Sequence, residues 1–390
     1  MALVSIVGLA ACSDGGTAVV ESMVVDSAAT AAVAPTTTVA PTTTVAATST
    51  VAATSTAPPT STVAPPTTLG APSGGVFPGD DWATGAFPSE VDRPAVDGAV
   101  DTAFGAPDAA ARVRSIVVVR GGEIVYERYH PLDTAETVME SYSVAKSVTS
   151  SIIGLLVGDG LLDVTERAPV IAWDDPADPR YVITLEHLLH MASGLEWNEE
   201  YGPGSKARTM FESEVASDYV ASLPLEAAPG ELFDYSTGTT AILAGIITDT
   251  LGGVDEADAY IQQRLLGPLG ITSMEFLRDG SGRWFGGVGA NSTTRDFARF
   301  GLLFLNDGIW DGERILPEGW VEYSHLPSPR NPQYGAQWWM FRDDAFEARG
   351  LFGQIVMVSQ ANDLVVAINT TSGGDADTLI GSVYDTFTAA

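Results

Sequence analysis

From about residue 76 onward, apolar residues fall into two alternating periodicities, one of strands and one of helices. Ser115–Arg120 (SIVVVR) and Glu123–Tyr129 (EIVYERY) are β-rich runs joined by Gly121-Gly122, which predicts a two-residue hairpin. Ser143–Val157 has apolar residues at helical spacing, no interior proline, and a stop at Gly158-Asp159-Gly160. Thr184–Met191 predicts a short helix capped by Thr184 and halted by Ser193-Gly194. Ala241–Thr250 is apolar throughout, as a buried helix would be, and 294–306 is amphipathic. Gln354–Ser359 and Leu364–Thr370 predict a second hairpin, and Asp375–Phe387 a terminal helix. Strands near both ends with helices between them predict an α/β (α+β) architecture. One antiparallel sheet would take strands from both termini and be flanked by helices, with a helical subdomain from the middle of the chain. The pattern does not set the strand order.

Residues 2–11 are a short apolar run of the size of a signal-peptide core, too short to span a bilayer. The run ends in Leu9-Ala10-Ala11-Cys12, which resembles a bacterial lipobox, although no Lys or Arg precedes it. The resemblance implies cleavage before Cys12, lipid on its thiol, and an extracytoplasmic location; without lipidation the chain would be secreted. Residues 13–75 are Val, Ala, Thr and Pro with almost no charge, and VAPTTT and VAATST each occur twice. Repeats this short cannot build a solenoid core. They predict an extended tether reaching on the order of 150 Å. The expected organisation is signal 1–12, tether 13–75 and a single folded domain over 76–390.

Composition narrows the function classes. The 390 residues carry 50 acids against 19 bases, a formal charge of −31. Only Lys146 and Lys206 are lysines. So acidic a chain lacks the basic surface that nucleic acid or an anionic bilayer requires, so neither is expected as a partner except through an N-terminal lipid. Hydrophobic residues make up 45% of the chain, ample for a core. The only cysteine is Cys12, which excludes an internal disulfide and any cysteine-based metal cluster.

Candidate chemistry begins with what is missing. His187 and His190 lie three apart, but no carboxylate completes a metal-binding set, so helix-face or core roles are favoured and no metal or cofactor is expected. No G-x-S-x-G nucleophile elbow and no Walker A loop occurs. Ser143-Val144-Ala145-Lys146 is different. A spacing of three on a helix puts the lysine amine beside the serine hydroxyl, and the apolar residues that follow would bury it and lower its pKa. A solvated helix lysine gives the same four-residue pattern, so the motif does not decide alone.

Two further segments give it context. Pro229–Thr237 (PGELFDYST) stands just ahead of the buried helix, and Gly350-Leu351-Phe352-Gly353-Gln354 opens the last hairpin. With Ile183–Leu195, Trp197–Tyr201 and 286–301 (GGVGANSTTRDFARFG), these motifs resemble, in order, the serine β-lactamase and penicillin-binding superfamily. The resemblance is to its class C-like branch, most nearly to esterases and 6-aminohexanoate-dimer hydrolases. It implies that Ser143 is acylated, that Lys146 and Tyr235 form the general-base pair, and that the amides of Ser143 and Gln354 make the oxyanion hole. A neighbouring cation, Lys146, would be needed to favour the Tyr235 phenolate.

The chain departs from the family pattern at three places. Thr237 stands where Y-x-N has asparagine, and Leu351-Phe352-Gly353 stands where β-lactam-recognising members carry K-T-G. Trp197 stands where the nylon-dimer hydrolases have a mobile-loop tyrosine. Trp197, Thr237 and Gly353 are the candidate substrate-binding residues, Trp338 and Trp339 could line an apolar pocket or lie in the core, and Arg349 could replace the missing lysine. The expectation is a serine hydrolase of carboxylic esters or small linear amides. The alternatives are a β-lactamase or DD-/D-amino-peptidase, and a catalytically silent binding lipoprotein.

Overall fold

The computed structural model describes residues 76–105, 113–371 and 375–389, together with Ser5–Gly8 and Glu21–Val24, which form an antiparallel strand pair in the first of two compact units. The remainder of the expected signal and tether, including Cys12, lies outside the described residues.

In the second unit the hairpin forms as its sequence predicts. β1 (Val113–Arg120) and β2 (Glu123–Tyr129) are joined by Gly121 and Gly122, both at positive φ (62° and 79°), as a two-residue hairpin turn requires. Gly122 has a second constraint, since a Cβ there would lie 1.7 Å from the Val76 carbonyl oxygen. Four more strands come from the far end of the chain: β3 (Trp339–Arg342), β4 (Ala345–Gly350), β5 (Gln354–Ser359) and β6 (Leu364–Thr370). They pair in the order β3-β4-β5-β6-β1-β2, every neighbour antiparallel. β6 is central and buried along its whole length, which explains its unbroken apolar run Leu364–Ile368.

Helices cover both faces. α1 (Arg93–Phe104) and the C-terminal helix (Ala376–Thr388) pack on one face, where Val96, Val100, Leu379 and Val383 meet Ile116, Val118, Met357 and Val366. On the other face lie α2 (Val144–Gly158), the short α3 (Leu185–Leu189), α4 (Thr237–Leu251) and α5 (Thr294–Leu305). Val117, Val119, Val356 and Val358 alternate with the first set along the strands and point into this second core.

α2 is the buried centre of that layer: every residue from Val144 to Leu156 is inaccessible. Its four hydroxyl residues keep this from being costly. Ser147 Oγ donates to Gln337 O, Thr149 Oγ1 to Gly286 O, Ser150 Oγ to Ala336 O and Ser151 Oγ to Ser147 O. Among the described residues no helix is long and apolar enough to cross a membrane.

Candidate active site

Ser143 sits at the N-terminus of α2 but does not cap it, so its hydroxyl is not consumed by the helix. The residue before it, Tyr142, is held at φ +44°, a strained conformation for a bulky side chain. Ser141 maintains that turn: its Oγ accepts from Ala290 N and its N–H donates to Asn291 Oδ1. The carbonyls of Ser141, Tyr142 and Ser143 accept from Val144, Ala145 and Lys146 in turn, and among the described residues the Ser143 N–H has no backbone acceptor.

Lys146 lies one helical turn on, 1% exposed. Its Nζ is 3.0 Å from Ser143 Oγ, 2.9 Å from Thr237 Oγ1 and 3.0 Å from Gly287 O. Burial pulls its pKa from 10.5 down to about 8, and the negative charge of Glu199 opposes that shift. The amine also lies over the Tyr235 ring, 4.8 Å from its centroid.

Tyr235 shifts the other way. Burial raises its pKa well above that of an ordinary phenol and outweighs the opposing effect of the Ser143 hydroxyl and the Trp339 indole, both within reach of its oxygen. Glu199 adds to the rise. The phenolate expected from the lysine's proximity is therefore not favoured. The group brought toward neutral pH is the amine.

A hydroxyl at a helix N-terminus, a buried lysine three residues on and a tyrosine from a second helix entrance now stand together on this sheet-and-helix frame. The β-lactamase family model matches residues 100–385, which takes in all of them. The chain belongs to the beta-lactamase family. It is 26% identical over 300 residues to the 6-aminohexanoate-dimer hydrolase of Paenarthrobacter ureafaciens, covering 68% of this chain and 74% of that one. Among solved structures it resembles the octameric penicillin-binding protein homologue from Pyrococcus abyssi, with a TM-score of 0.60 at 18% identity over 76% of this chain and 78% of that one. It also resembles EstCE1, a hydrolase with promiscuous acyltransferase activity, with a TM-score of 0.60 at 16% identity over 75% and 98%.

The three residues of this beta-lactamase-family chain expected to contact substrate are each packed against other parts of the protein. Trp197 is buried under the start of α4, where a Cβ on Gly238 would lie 2.6 Å from its ring, and its indole donates to Glu199 Oε2 at 2.7 Å. Thr237 is fully buried between Lys146 and Glu199. Gly353, at φ +94°, faces the C-terminal helix, 2.5 Å from Ala376 Cβ were it to carry a Cβ of its own. Trp197 and Thr237 pack beneath Lys146 and Glu199, whereas Gly353 packs on the C-terminal helix. Sequence position gave no direction for their side chains.

Gln354 was expected to supply the second oxyanion amide. Gln354 is completely buried, and its side chain is tied to Thr370 O and N. The backbone that reaches the serine turn belongs to Gly350, where a Cβ would fall 2.5 Å from Ser141 O. The next amide is that of Leu351, which also finds no backbone acceptor among the described residues. Arg349 points to the opposite face of the sheet, where it donates to Glu347 Oε1 at 2.5 Å and pairs with Asp377. It does not stand in for a K-T-G lysine.

Other residues at the site had no signal of their own in the sequence. Glu199 accepts from Trp197 Nε1, Tyr201 Oη (2.6 Å), Thr237 N (2.9 Å) and Thr237 Oγ1. Gln337 joins α2, α3 and α4 by donating to Leu189 O (2.7 Å) and accepting from Thr240 Oγ1 and Ser147 Oγ. Trp338 is core, packed on Phe304 at 4.3 Å between ring centroids, whereas half-buried Trp339 stands beside Tyr235 (5.4 Å) and Tyr334 (4.7 Å). His187 Nδ1 accepts from Thr184 N and caps α3, and His190 is buried against Tyr323. Among the described residues no group of three or more His, Cys, Asp or Glu is arranged to hold a metal.

Proposed function

We propose that this chain is a serine hydrolase that forms an acyl-enzyme on Ser143 and hydrolyses carboxylic esters or small linear amides. The observation that carries the reading is the buried Lys146 amine 3.0 Å from Ser143 Oγ, with its pKa brought down to about 8. Lys146 takes the serine proton as Oγ bonds to the acyl carbon. The carbonyl oxygen becomes an oxyanion facing the Ser143 N–H and the Leu351 N–H. As the bond to the leaving alcohol or amine breaks, Tyr235 donates its proton to that group and recovers one from Lys146. Water then attacks the ester on Ser143 by the reverse route. Trp339, Tyr334 and Phe233 form an aromatic wall next to Tyr235 that suits an apolar acyl or leaving group. Arg349 is engaged on the far face of the sheet and does not offer its cation to the carboxylate of a β-lactam.

The test is to treat the purified protein with a fluorophosphonate, a labelled penicillin and p-nitrophenyl esters. Fluorophosphonate labelling and ester turnover are expected, both lost in Ser143→Ala. Labelling by penicillin would replace this reading with a β-lactamase or peptidase, and neither labelling nor turnover would leave a silent binding protein. The pH dependence has a fixed sign. Below about pH 8 Lys146 carries its proton and cannot accept another, so kcat/KM for an ester should rise with pH through about 8. A profile flat from pH 6 to 9 would count against Lys146 as the base.

The apolar run ending at Cys12 and the Pro/Thr-rich stretch after it support a further proposal, that the enzyme is an extracytoplasmic lipoprotein on a tether. Labelled palmitate should enter the wild-type chain in a bacterial host and not Cys12→Ser. Equal incorporation in both would remove the anchor.

A further inference from the structure

Three hydrogen-bonding neighbours surround the Lys146 amine: Ser143 Oγ, Thr237 Oγ1 and Gly287 O. Given the acyl-transfer reading above, on which this step rests, we infer that Glu199 is a positioning residue. By holding the Thr237 hydroxyl proton, it turns the Lys146 amine so that its lone pair faces Ser143 Oγ.

A carboxylate only accepts, and four donors converge on Glu199: Trp197 Nε1, Tyr201 Oη, Thr237 N and Thr237 Oγ1. The single proton of the Thr237 hydroxyl is therefore committed to Glu199, and the same oxygen can only accept from Lys146 Nζ at 2.9 Å. Gly287 O, at 3.0 Å from Nζ, is likewise an acceptor only. A neutral amine has two N–H bonds and one lone pair. With both N–H bonds drawn to Thr237 and Gly287, the lone pair is left on the third neighbour, Ser143 Oγ–H. The proton can then pass from Oγ to Nζ without the amine turning. Were the Thr237 proton free, it could point at Nζ instead, occupy the lone pair, and leave the serine with an N–H donor where it needs an acceptor.

The scaffold keeps this arrangement fixed. Thr237 is the first residue of α4, so its N–H is one of the amides a helix leaves unpaired, and Glu199 takes it at 2.9 Å. Gly287 lies so close that a Cβ would meet Thr237 Cγ2 at 2.8 Å, which holds its carbonyl against the amine. The ionisable groups facing Lys146 are Tyr235 across its ring and Glu199 beyond Thr237. Tyr201 lies against Glu199, and Tyr334 and Asp234 flank Tyr235. Glu199 is the one whose charge favours the ammonium, so its loss should also lower the Lys146 pKa further.

The experiment compares Glu199→Gln, Thr237→Val and Thr237→Ser in the full chain, reading kcat/KM for a p-nitrophenyl ester and the rate of fluorophosphonate labelling from pH 6 to 10. Thr237→Ser keeps the hydroxyl and should stay within roughly threefold of wild type. Thr237→Val and Glu199→Gln should each lose roughly 30- to 100-fold at the plateau, a part of the 10²–10⁴ that general-base catalysis supplies. In Glu199→Gln the acidic limb should also move to lower pH, a displacement that a purely structural defect would not produce. Wild-type rates and an unmoved limb in Glu199→Gln would overturn the inference, as would Thr237→Ser failing as badly as Thr237→Val. Wild-type protein that never labels at Ser143 would instead overturn the acyl-transfer reading beneath it.

Discussion

Lys146→Met is expected to lower ester turnover by roughly 10³- to 10⁴-fold while leaving the protein folded, because the general base disappears with almost no change in volume. The effect on stability is the less obvious half. A lysine whose pKa falls from 10.5 to about 8 on folding costs about 3 kcal/mol when both states are protonated. The sign follows from proton uptake: between about pH 8 and 10.5 the unfolded chain binds the proton and the folded chain does not, so stability rises with pH across that window. Methionine removes this cost at neutral pH. It also leaves Gly287 O and the Thr237 hydroxyl short of a partner, at about 1–3 kcal/mol each. The two effects nearly offset, so the variant should unfold within about 2 kcal/mol of wild type in urea at pH 7. Its stability should also lose the rise between pH 8 and 10.5. A variant that retains a tenth of wild-type activity would mean that another group accepts the serine proton.

The same lysine marks how far sequence alone reaches into this site. Ser143 and Lys146 are three residues apart on one helix, so their contact is a property of helical geometry and was legible. The sheet was legible for a related reason: both hairpins carry their turn chemistry locally, and strands left over at the two ends have only each other to pair with. The strand order was not, since it depends on which edges the buried helices leave open. Glu199 and Gly287 reach Lys146 from 53 and 141 residues away, through a loop carboxylate and a backbone carbonyl that have no local pattern. Trp197 and Thr237 were named from the motifs alone, which carry no direction for a side chain. Both motifs sit beside the reacting groups, and only the packing of Trp197 under Gly238 shows that these side chains face inward. Tyr235 shows a third kind of gap. Its proximity to a cation was expected to favour phenolate, yet burial is a sum over the whole fold and outweighs one neighbour.

Trp338→Ala should produce the largest loss of stability among core substitutions near the site, about 3–5 kcal/mol by urea unfolding. The indole is wholly inaccessible. It lies 4.3 Å from Phe304, 5.2 Å from Phe346 and 5.9 Å from Phe300, ring centroid to centroid, and so joins α5 to β4. Alanine leaves a cavity that three aromatic neighbours on two elements cannot all collapse to fill. Against a typical total of about 5–15 kcal/mol, that is a large fraction of the reserve. Function should fall with it, because the chain on either side of Trp338 is the site's frame. Ala336 O and Gln337 O receive the Ser150 and Ser147 hydroxyls of α2, and Trp339 stands against Tyr235. Trp338→Phe removes less volume and keeps an aromatic face toward Phe304, so it should cost less than half as much and restore most of the turnover. If Trp338→Ala instead unfolds at the wild-type urea concentration, the core around α5 is looser than these ring contacts require, and its role in holding Ser143 falls with them.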